Sequence, residues 1–370
     1  MNIMPKGILI HAGDRDALSV RRAFVEQACR LGMDQSVHAS DEDCGVRFVL
    51  PAEFQRAWAP EHDTLQLCAR LEIDSLTSRD DLEREILLAM LLAPVTFEFP
   101  CYAEFAASVR MRINIVEAAR NTKLSFDTQS IARPADCWTY AEDRGFTLRP
   151  GKPLIEALRR AIQPDVNDER YPFSCCRATE YVILLGIAQE LEANNPALLK
   201  LLQRQWQTRA IMSREFHAVF LREYGSMSSP LPARFCVPGD RLWFRNPDEN
   251  SSDVTGYEGS WVIYLGCGLF SNFWEPENPC TLDAKCIEIY HWRNAVRRGQ
   301  DGNMQIDESV VEANIAATLS DVAERRRIVD KMLRMRDPRG VYADGGCIDT
   351  SRDYPRWVCT DFSDISLPDA

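Results

Sequence analysis

From Cys175 to Leu191 the chain reads as an apolar helix, with Tyr181, Val182, Leu185 and Ala188 at helical spacing. A helix of that kind belongs at the centre of a fold, and other elements must cover it. Further helices are expected over Ala17–Leu31, Arg79–Leu92 and Tyr102–Arg120, the last on Phe105, Val109, Ile113, Val116 and Ala119. Leu154–Ile162, Ala197–Tyr224, Cys286–Arg298 and Asp307–Met335 also read as helical. Strand alternation comes later, over Gly239–Arg245 with Leu242 and Phe244 on one face, then Ser260–Leu265 and Leu269–Trp274. Helices first and strands later, without βαβ alternation, indicate an α+β fold.

The 370 residues predict three parts: a mixed N-terminal extension over 1–88, a core over 89–336 and a loosely held tail over 337–370. A net charge of −12 argues against a nucleic-acid or anionic-membrane partner, since both need a basic surface. No apolar run reaches the roughly 18 residues of a membrane helix, and Met1–Ile10 does not read as a secretion signal. The 13 cysteines are scattered and include no C-x-x-C pair. A zinc ribbon is therefore not expected, and a reducing, cytoplasmic setting fits best.

One cysteine pair stands where chemistry could be done. Tyr171-Pro-Phe-Ser-Cys-Cys-Arg177 leads from a turn into the apolar helix, with Ser174 as N-cap and Cys175 and Cys176 in the first turn. Unpaired N–H groups and the helix dipole there favour a thiolate and lower its pKa. They can also donate to an oxyanion. Taken alone, a cysteine at a helix start is more often structural.

Six segments in order carry a resemblance. Pro94–Phe99 with Arg110–Ala119 is similar to "PVQFDY" and "LRMNIVAAA". Ala157–Ile162 followed by Tyr171–Cys175 resembles "AIRDI" and "YAFEC". Gly239–Pro247 resembles "GDCLYFKNP", and Tyr257–Gly266 resembles "WRGENVILLG". These are motifs of the bacterial spore-coat transglutaminases, a papain-like group, and they span roughly residues 90–335. The resemblance implies a papain-like, transglutaminase-like core in which the cysteine helix packs on an antiparallel sheet, with no cofactor. It implies Cys175 as nucleophile, with Cys176 as the alternative one step on.

At three positions the pattern is broken. Ser174 and Ser260 stand where the family has glutamates, and Asn272 stands near its histidine. Glu258 is the replacement base expected from the sequence, because two residues along an extended segment share a face with Ser260. His291 is a second candidate, through cysteine–histidine chemistry, and His217 a weaker one. Asn272 could orient a base or donate to an oxyanion. Tyr257 and Trp274 are candidate walls of a side-chain tunnel, and Trp243 and Trp261 are assigned to the core. The expected activity is cysteine-dependent acyl transfer on protein glutamine, giving isopeptide cross-links to lysine or, with water, deamidation. The partners are then protein substrates carrying glutamine and lysine. Two alternatives stay open: a papain-like protease or deamidase using a Cys–His pair, and a non-catalytic descendant that binds a partner. The N-terminal extension fits substrate recruitment, a cover for the site, or non-classical export.

Overall fold

A computed structural model describes residues 5–13, 17–126, 131–165, 169–299, 302–337 and 345–368. Local chemistry sets the helix ends. Ser78 accepts from the Asp81 N–H and opens Arg79–Leu91, with Asp80 and Asp81 at the positive end of the dipole. Asp321 accepts from Ala323 and Glu324, and so divides the single helix expected over 307–335 into Glu308–Ser320 and Val322–Met332.

The functional region is built on a six-stranded antiparallel sheet. Its order is Cys280–Thr281, Leu269–Phe270, Gly259–Gly266, Arg241–Arg245, Ser351–Pro355 and Leu221–Gly225. Ile263 and Leu265 face the helix Cys175–Asn194, which also packs on the helix Tyr102–Asn121. Leu242, Phe244, Val262 and Tyr264 face the opposite way, onto Leu282–Trp292 and Val322–Met332. The sheet thus lies between two helical layers.

Residues 8–99 add a second sheet, ordered His38–Glu42, Gly45–Val49, Ile8–His11 and Phe97–Phe99. The last strand runs parallel to Ile8–His11. The apolar face of this sheet shares one cluster with Phe105, Val109, Tyr224 and Phe235, so it packs on the helix Tyr102–Asn121. Behind it lies a buried ion pair, Arg112–Asp240 at 2.7 Å. Asp240 also accepts from the Tyr224 hydroxyl and, at 2.8 Å, from the Val237 N–H. These partners offset the desolvation of its charge.

The tail departs from expectation. Ser351–Pro355 is an interior strand, paired with Leu221–Gly225 on one side and Arg241 on the other. The chain beyond it is tied down by two carboxylates. Buried Glu104 accepts from the N–H groups of Val358 and Cys359 at 2.8 and 2.9 Å. Asp364 accepts from Arg222, Arg356 and the Trp357 N–H. Of the tail expected over 337–370, residues 338–344 lie outside the described residues, as does Met1–Met4. Other differences are smaller. The expected third strand stops at Phe270, the helix expected over Cys286–Arg298 is Leu282–Trp292, and Leu221–Gly225 is strand rather than helix.

Candidate active site

Phe173, buried and capped by the Arg133 guanidinium 3.3 Å from its ring centre, fixes the entry to the cysteine helix. Ser174 is the N-cap, accepting from Arg177 at 3.4 Å. The first turn then places Cys175 and Cys176 in the wall of an open cavity of about 340 Å³. Facing them are Trp243, Trp261, Thr255, Gly256, Glu258 and Gly259.

The backbone N–H groups of Trp261 and Cys176 and the charges of Arg241 and Lys285 act on the Cys175 thiol. All four favour the thiolate. Burial opposes them and is the larger influence, so the pKa of Cys175 is raised above the ordinary thiol range, against the lowering expected from the helix dipole. Cys176 is pushed up to about 11 by burial and the Glu180 charge. Its sulfur is 3.6 Å from Glu180 Oε1 and accepts from Arg241 at 3.3 Å.

Of the residues named from sequence, Cys175, Cys176, Glu258 and Ser174 meet in this cavity. Glu258 precedes the strand instead of lying on it, and its carboxylate accepts from the Gly256 N–H at 3.1 Å. The others are placed elsewhere. His291 is buried between helices, one ring nitrogen 2.7 Å from Thr318 Oγ1 and the other 3.1 Å from Asn294 Nδ2. Burial lowers its pKa. Asn272 donates to the Asn278 carbonyl at 3.3 Å. Tyr257 donates to Glu308 and packs edge-on against Trp292, and the Trp274 carbonyl accepts from Arg170. Ser260 is not among the residues lining the cavity.

The aromatic walls are instead Trp243 and Trp261, which stack 5.8 Å apart at 16°. Their signal was in the sequence. If Leu242 and Phe244 face the core, Trp243 must point away from it. Three further groups were missed. Arg241 lies 3.8 Å over the Trp261 ring and donates to Thr179 and Asp353. Asp353, from the tail strand, also sits 3.3 Å from half-exposed His217 and raises its pKa. Lys285 is buried at 2.7 Å from Glu288; burial acts to lower its pKa, but Glu288 and the nearby thiols hold it charged.

A family model described as protein-glutamine gamma-glutamyltransferase matches residues 66–363. The chain belongs to that family. The matched span takes in the helix Arg79–Leu91, the cysteine helix and the tail strand. A curated protein-glutamine gamma-glutamyltransferase of Halalkalibacterium halodurans is 26% identical over 221 residues, 56% of this chain and 70% of the relative. The solved transglutaminase from Geobacillus stearothermophilus, without its C-terminal extension, is 20% identical with a TM-score of 0.39, covering 58% of this chain and 98% of that one. As a member of the family the chain is a transferase acting on protein glutamine. Within this transglutaminase, the residues around the cysteine are those of its own pocket: a serine N-cap, two tryptophans and one glutamate.

Proposed function

We propose that Cys175 is the nucleophile of a transglutaminase reaction on a papain-like scaffold, with Glu258 as its proton carrier. One observation supports this most directly: among the described residues, Glu258 is the only carboxylate lining the cavity onto which Cys175 opens. The Cys175 proton passes to Glu258 as the sulfur attacks the glutamine side-chain carbonyl. The C–N bond breaks, Glu258 returns the proton to the departing nitrogen, and ammonia leaves a thioester. The N–H groups of Trp261 and Cys176, which act on the Cys175 thiol, are the donors available to the developing oxyanion. A neutral lysine amine then attacks the thioester carbonyl. Its proton travels through Glu258 to the Cys175 sulfur, and an isopeptide bond results. The stacked Trp243 and Trp261 supply apolar walls suited to the methylene stems of glutamine and lysine.

The raised pKa of Cys175 fits a protonated resting thiol, for which a base is required in the attack step. Ammonia release from a glutamine peptide, with and without an amine acceptor, tests the assignment. Cys175→Ala is expected to lower kcat/KM by about a thousandfold or more, and Glu258→Gln by about a hundredfold. Cys176→Ala is expected to cost less than about tenfold. Full activity in Cys175→Ala, or abolition in Cys176→Ala alone, contradicts the reading.

A further inference from the structure

Away from the cavity, the short helix Leu67–Leu71 brings Cys68 against Cys267, at the turn between the strands Gly259–Gly266 and Leu269–Phe270. Their sulfurs are 2.6 Å apart across 199 residues of chain. Buried Glu85 lies beside them, its Oε2 3.1 Å from the Cys68 sulfur. We propose that Cys68 and Cys267 are an oxidisable pair that closes to a disulfide stapling the N-terminal portion onto the hairpin whose first strand carries Trp261.

Three features carry this. First, the separation suits a covalent bond better than a shared metal. Two sulfurs on one tetrahedral zinc stand about 3.7 Å apart, given zinc–sulfur bonds of about 2.3 Å, whereas a disulfide needs them to close to about 2.05 Å. Second, the turn is built round the cysteine. Gly266, Cys267 and Gly268 all have positive φ, 94°, 51° and 73°. A cysteine there incurs a cost that glycine avoids. In return its N–H is held by both Glu85 oxygens at 3.1 Å, and the Gly268 N–H by the Tyr264 hydroxyl at 3.1 Å. A side chain at Gly266 would stand 2.6 Å from Glu85 Oε2, so the turn can approach the carboxylate only through glycine. Third, the two thiols differ in access. Cys267 is partly exposed, while Cys68 is buried.

That asymmetry sets the order of attack with a low-molecular-weight disulfide such as glutathione disulfide. The Cys267 thiolate attacks one sulfur of the oxidant, forming a mixed disulfide and releasing one glutathione thiolate. Cys68 gives its proton to Glu85, and its sulfur attacks Cys267 Sγ, releasing the second. The two protein thiols are oxidised, the oxidant is reduced to two thiols, and the two protons finish on the departing glutathiones.

The test equilibrates the full chain with glutathione disulfide, quenches with maleimide and maps the peptides by mass. The expected result is a Cys68 peptide joined to a Cys267 peptide, two hydrogens lighter than their sum and separated by dithiothreitol. Thermal unfolding of the oxidised protein should rise by roughly 5 °C or more, and Cys267→Ser should abolish both the joined peptide and the rise. The proposal is overturned if both thiols stay maleimide-reactive, or if Cys267 stops at the glutathione adduct. Stoichiometric binding of zinc by the reduced protein, lost in Cys267→Ser, overturns it too, since the trio would then be a metal site.

Discussion

At Cys175 two influences compete. Two backbone N–H groups and the charges of Arg241 and Lys285 favour the thiolate; burial favours the thiol and prevails. A raised pKa means less thiolate at neutral pH. Alkylation of Cys175 by iodoacetamide should therefore be slow near pH 6 and climb with pH through and beyond the ordinary thiol range near 8.5. Cys176, at about 11, should follow later still. Peptide mapping after labelling across that range distinguishes the two, and a Cys175 rate already level near pH 6 contradicts the burial argument. The meeting of Cys175 with Glu258 was legible because both belong to short motifs whose local geometry is strong: a capped helix start and the approach to a strand. Arg241 and Asp353 were not legible as neighbours, since only pairing between strands 112 residues apart in sequence brings them together. His291 reads as a catalytic histidine by type alone. Its surroundings, Thr318 and Asn294, come from helix packing that no local pattern announces.

At the scale of elements, the helices with clear periodicity lie where the spacing puts them, and the hairpin Arg241–Arg245 with Gly259–Gly266 follows from its alternation. Among the elements missed are Leu221–Gly225 and Ser351–Pro355, which pair with each other over more than a hundred residues and carry little periodicity of their own. The expected loose tail is for this reason an interior strand. The hairpin also explains a glycine. A methyl group at Gly259 would stand 2.4 Å from the Phe244 carbonyl oxygen and 2.4 Å from Trp243 Nε1. Gly259→Ala should then displace the Trp243 indole, cost about 1–3 kcal/mol in urea unfolding and lower activity together with a change in tryptophan fluorescence. Unaltered stability and fluorescence would show that the indole does not wall the cavity as described.

For the whole molecule, the site is a product of distant parts. The cysteine helix supplies the sulfur, the central hairpin the tryptophans, the turn before it Glu258, and the tail strand the Asp353 that holds Arg241. Arg112 and Asp240 join the helix Tyr102–Asn121 to the sheet, and Glu104 fastens the last segment to the start of that helix. The family match over 66–363 is as broad as this assembly, which a compact stretch around the cysteine alone could not form. The central claim is that the Cys175 sulfur carries the acyl group. Acid-quenched mixtures of the full chain and a glutamine peptide, mapped by mass, test it directly. The account predicts one adduct, on Cys175, equal to the peptide less ammonia, discharged by an added amine. An adduct on Cys176, or none while ammonia is released, contradicts it.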